Sequence, residues 1–79
     1  MNLIDDRDRL LLNLESFLRG KYRLHEEFKA VSEDWDARGD AVFMVFHYGS
    51  HPAAEIMRAA PMSEFNAWLL ERGERPMPV

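Results

Sequence analysis

His47 and His51 stand four positions apart, and Asp36, Asp40 and His25 add donors of the kinds that hold zinc or nickel. On a single helix that spacing would aim two imidazoles the same way. Here the residues around His47 read as a strand and those around His51 as a turn, and no HExxH pattern is present. The expectation is no metal centre.

Nucleophilic catalysis needs a hydroxyl or thiol beside a base. The chain has no cysteine and no threonine, and Ser16, Ser32, Ser50 and Ser63 lie in no GxSxG elbow. Ser50 and His51 are neighbours in a turn, which seldom lets two side chains face each other. Glu33, Asp34 and Asp36 could share acid and base roles, but such carboxylates need a cleft, and 79 residues leave little mass for one beside a core. Gly20, Gly39, Gly49 and Gly73 are isolated, so there is no phosphate-cradling loop. Arg38-Gly39-Asp40 spells an integrin-recognised tripeptide and reads here as a hairpin turn. The sequence therefore predicts a protein that is not an enzyme and carries no cofactor.

Charge is more informative. The net charge is −4. Glu26, Glu27, Glu33, Asp34, Asp36 and Asp40, against Lys29 and Arg38, account for all of it, and the remainder is neutral. A surface of that sign repels phosphate, so direct nucleic-acid binding is disfavoured; a basic protein surface, including one that handles nucleic acid, is attracted. The alternative is a solvated face that keeps a small protein in solution.

The elements that must position these residues follow from periodicity. Leu3, Leu10, Leu11, Leu14, Phe17 and Leu18 fall at helical spacing, with Asp5 and Asp6 to cap the first turn and Gly20 to close the last, so a helix is expected over about Asp5 to Arg19. Ser63 is the expected cap of a second helix over about Glu64 to Arg72, ended by Gly73. Residues 1–73 form one α+β domain in this reading, and 74–79, with Pro76 and Pro78, a mobile tail. Ala41 to Tyr48 is rich in β-branched and aromatic residues and reads as a strand. A strand needs pairing partners. Phe28 to Asp36 and Ala54 to Ala60 can supply them, giving the order α-β-β-β-α with a three-stranded antiparallel meander and two helices. The rival reading takes Leu24, Phe28, Val31 and Trp35 as a helical face and Ala53 to Ala60 as a capped helix. The order would then be α-α-β-α-α, with a lone strand pairing across a dimer.

The central strand is apolar on both sides. Ala41, Phe43, Val45 and His47 share one face; Val42, Met44, Phe46 and Tyr48 share the other. Two short helices can cover one face of three strands, which leaves the second for another surface. The alternative is one helix on each face.

The amino terminus, with Asp5, Asp6 and Asp8, lacks the charge layout of a signal peptide, and no apolar run approaches a membrane span. A cytoplasmic protein is expected, with no membrane partner. The leading functional expectation is a small inhibitor or adaptor that docks on a basic protein partner through Glu26, Glu27, Glu33, Asp34, Asp36 and Asp40, with Trp35 as an aromatic anchor. Its composition is of the kind seen in small regulators, including phage-encoded anti-defence (anti-CRISPR-like) proteins; this is an analogy of composition. A homodimeric assembly module and an accessory subunit of an enzyme are the alternatives.

Overall fold

A computed structural model describes residues 6–49 and 51–77, and the side chains among them except those of 6 and 51–53. Its elements are α1 (Asp6–Tyr22), β1 (Phe28–Arg38), β2 (Ala41–Tyr48), β3 (His51–Pro61) and α2 (Met62–Glu71). The three strands form one antiparallel sheet in the order β1-β2-β3, the expected α-β-β-β-α arrangement. Gly39 and Gly49, with φ of +65° and +56°, turn the chain between β1 and β2 and between β2 and β3. Ser50 and Asp5, for which turn and cap roles are expected, lie outside the described residues, as does the side chain of Asp6.

Both helices pack on the same face of the sheet. Val42, Met44 and Phe46 of β2 are fully buried there against Leu14, Phe17 and Leu18 of α1 and Phe65 and Leu69 of α2. Phe17 and Phe65 join the helices, with ring centroids 5.2 Å apart. At about 1.5 to 3 kcal/mol for each large apolar side chain removed from water, this cluster is the main source of stability. The alternative of one helix on each face is overturned: Phe43 and Val45, the residues between the buried three, are only half-buried and are not part of the cluster.

α1 runs past its expected end. Gly20 lies within the helix, and Arg23, at φ +51°, takes the left-handed position that Gly20 was expected to fill. A glycine inside a helix costs about 1 kcal/mol relative to alanine. The last turn, from Arg19 to Tyr22, offsets that cost through four contacts. Arg19 donates to the Phe28 carbonyl of β1 and bonds Glu15 at 2.9 Å; Lys21 pairs with Glu64 of α2 at 2.6 Å; the Tyr22 hydroxyl donates to the Ala59 carbonyl of β3 at 2.5 Å. The last turn of α1 thus touches every other outer element of the fold.

α2 also starts earlier than expected. Pro61 is its N-cap residue and makes no side-chain cap bond, so Ser63 lies inside the helix. Proline's fixed φ suits a helix start. Met62 is buried, and its N–H donates to the Asp40 carbonyl at 2.8 Å, which ties the helix start to the β1–β2 turn. Beyond Gly73, in the segment expected to be mobile, the described residues lie along the helices. Glu74 pairs with Arg9, and Met77 exchanges two hydrogen bonds with the Asn66 side chain, at 2.8 and 3.2 Å. The Arg9 guanidinium holds the Glu74 carboxyl below the usual carboxylate range.

Candidate functional site

The acidic residues are brought together by β1. Register shows how: Ala30 pairs with Phe46 and Trp35 with Met44, so five steps along β1 match two along β2. Three extra residues are therefore taken up between Ala30 and Trp35, in a wide bulge that faces Val45. Ser32, Glu33 and Asp34 are exposed in this bulge. Trp35 re-enters the ladder with its side chain on the helix-covered face.

That bulge explains the rival helical reading. Phe28 and Trp35 are seven apart, an odd spacing that a regular strand would put on opposite faces. The extra residues restore both to the core side, and the result imitates a helical stripe.

Glu26 and Glu27 are exposed in the turn before β1, Glu33 and Asp34 in the bulge, and Asp40 in the turn after it. Asp36 is half-buried, with one oxygen accepting from the Ala37 N–H at 2.8 Å and the other paired with Arg38 at 2.9 Å. Among the described residues it is the one member of the six in an ion pair. The six thus follow one sheet edge from end to end. Trp35 is not presented with them. It packs half-buried against the core, with the Arg7 guanidinium 5.9 Å from its ring centroid.

The second surface is the face of the sheet away from the helices. Rows across it, in the order β1, β2, β3, read Arg38, Ala41, Pro61; then Asp36, Phe43, Ala59; then the bulge, Val45, Met57; then Lys29, His47, Glu55. Phe43 and Val45 are half-buried, Ala59 is exposed and Met57 is 55% exposed. The sequence identified the β2 part of this strip through its double-sided apolar pattern. It missed Met57, because the alternation of β3 is visible only once the register is known.

Of the residues weighed for metal binding, the side chain of His51 lies outside the described residues, and the others are dispersed. His47 lies in the open-face row with Lys29 and Glu55, whereas Asp36 pairs with Phe43, four residues along β2, or roughly 13 Å at strand rise. His25 sits against the Tyr48 ring, centroids 6.2 Å apart, and its Nδ1 accepts from the Glu27 N–H. Among the described residues no three His, Asp or Glu side chains are placed to hold an ion. A cleft of about 560 Å³ separates the first turns of α1 from the tail, lined by Arg7, Arg9, Leu10, Leu69, Glu74 and Met77 among others. It holds none of the acids on the β1 edge.

No described helix is long and apolar enough to cross a membrane. Comparison with known proteins finds no matching family model, no matching curated protein and no matching solved structure.

Proposed function

We propose that this protein is a protein-binding module of the inhibitor or adaptor kind, which lays the acidic edge of its sheet on a basic surface of another protein. The observation that carries this reading is the arrangement of Glu26, Glu27, Glu33, Asp34 and Asp40 along β1 and its two turns, with no ion pair to any of them among the described residues. Carboxylates without an internal partner add nothing to the fold, and their mutual repulsion opposes it. Gathered on one edge, they set up a field of a single sign that speeds encounter with a cationic surface and fixes the direction of approach. A partner groove that normally holds nucleic acid meets this requirement, because it is built to neutralise a row of negative charges.

The edge also offers backbone groups. β1 is an outer strand, but the bulge interrupts its outward N–H and C=O groups, the Phe28 carbonyl already accepts from Arg19 and the Ala37 N–H already donates to Asp36. Recognition here rests on side-chain charge rather than on strand addition.

The test is capture from the native host at low salt, with the wild type and a Glu33→Lys, Asp34→Lys variant run side by side. A specific protein retained by the wild type, released as ionic strength rises and lost by the variant is the expected result. Equal retention by both, at all salt concentrations, would remove the acidic edge from the account.

A further inference from the structure

The open face of the sheet is self-complementary, and we infer that it receives a second copy of this chain. The inference is independent of the proposed use of the acidic edge.

The first observation is the charge pattern. Across the row Lys29, His47, Glu55, a cation on β1 and an anion on β3 flank the central strand. A two-fold interface requires that if one residue meets another, the reciprocal contact also forms. With the axis lying over β2 and parallel to it, β1 of each copy crosses above β3 of the other. Lys29 then faces the partner's Glu55 at one rim, and Glu55 faces the partner's Lys29 at the other. Asp36 and Arg38, also on this face, are already neutralised within one chain. Lys29 and Glu55 thus meet opposite charge at both rims, while the acids of the bulge, Glu33 and Asp34, stay exposed at the β1 edge beside them.

The second observation is the apolar strip between those charges. Phe43 and Val45 run down the middle, with Met57 and Ala59 beside them, so the axis passes through the most apolar part of the face. Aligned sheets pack about 10 Å apart with strand directions within about 30°, a separation that lysine and glutamate side chains bridge from opposite sides.

The third is size. Eight residues of strand at about 3.3 Å, across three strands about 4.8 Å apart, give a projected face of roughly 400 Å² per copy. Two such faces bury on the order of 1,000 Å² of accessible surface, near the lower bound for a specific interface. An interface of that size belongs to the weak, reversible class.

Sedimentation equilibrium from about 1 μM to 1 mM reads this directly, with circular dichroism confirming that each variant is folded. The wild type should pass from monomer to dimer across that range. Lys29→Glu and Glu55→Lys should each raise the dissociation constant about tenfold, because each sets like charges together at both rims. The double exchange should restore it to within about threefold of the wild type, and Val45→Asp should leave a folded monomer. Glu33→Lys, Asp34→Lys should still dimerise, which separates this outcome from failure of the acidic edge. A wild type that stays monomeric at 1 mM overturns the inference. So does a dimer that Val45→Asp leaves intact, or a double exchange no better than either single change.

Discussion

Deleting Ser32, Glu33 and Asp34 should convert β1 into a regular strand without harming the fold. After deletion, Ala30, Val31 and Trp35 would be consecutive, and the first and third already pair with Phe46 and Met44 of β2. Val31 would fall opposite Val45 on the open face, where a β-branched pair is favourable. The three removed side chains are exposed, and among the described residues none makes a hydrogen bond or ion pair that the deletion would orphan. Ordering each residue of backbone costs roughly 1 to 2 kcal/mol, which the bulge recovers only in part because its groups are withdrawn from the ladder. The expected change is therefore a gain of about 1 kcal/mol, or a rise in melting temperature of about 4 to 8 °C for a chain of this size. Urea unfolding followed by the fluorescence of Trp35 and Trp68 measures it. A loss of more than about 1 kcal/mol would refute the reasoning and make the bulge a structural requirement. If the gain is seen, the chain maintains a destabilising insertion that carries two of its unpaired acids, and the same variant should lose partner capture.

Four other consequences follow from particular contacts. Gly20 is helical with nothing within 4 Å of an added Cβ, so Gly20→Ala should stabilise the protein by about 0.5 to 1 kcal/mol in thermal unfolding. Gly39→Ala should instead destabilise it by about 1 kcal/mol in the same assay, since φ +65° is strained for any residue with a Cβ. Tyr22→Phe removes the bond to the Ala59 carbonyl and should cost about 1 kcal/mol in urea unfolding; no change would show that the bond contributes nothing. The Glu74 carboxyl is held low first by its hydrogen bond from Arg9, so its contribution to stability is present above its unfolded pKa and lost as pH falls through the lower, folded value. NMR titration should accordingly show the Glu74 pKa rising toward the ordinary carboxylate value in Arg9→Gln, and an unmoved pKa would exclude Arg9 as the cause.

Much of the architecture is legible in the sequence because local signals and global packing agree there. The β-branched, aromatic run of β2 and the glycines at 39 and 49 specify a meander, and the leucine stripe of α1 specifies its buried face. The errors arise where a distant contact outweighs a local preference. Gly20 has the propensity of a helix stop, but Lys21 and Tyr22 beyond it find partners on α2 and β3, which no window around Gly20 contains. Ser63 is the better local cap, yet Met62 is drawn into the core and its N–H to the Asp40 carbonyl, so the helix begins at once after Pro61.

The candidate surfaces divide in the same way. The acidic edge was legible as a run of charge. How β1 presents it was not, because the bulge between Ala30 and Trp35 changes which residues share a face and is visible only in the pairing with β2. Trp35 illustrates the consequence: adjacent in sequence to Asp34 and Asp36, it turns inward while they do not.

The account depends on a sheet closed by helices on one side and open on the other, and two adjacent residues of β2 test that most directly. Met44 is fully buried and Val45 half-buried on the opposite face. An unpaired carboxylate at a buried position costs several kcal/mol, against a total stability of roughly 4 to 12 kcal/mol for a chain of this length. Circular dichroism melts of Met44→Asp and Val45→Asp at 1 μM should give an unfolded or severely weakened protein for the first and a near wild-type transition for the second. Comparable collapse of both would mean that the two faces are equally enclosed, and the open surface would not exist.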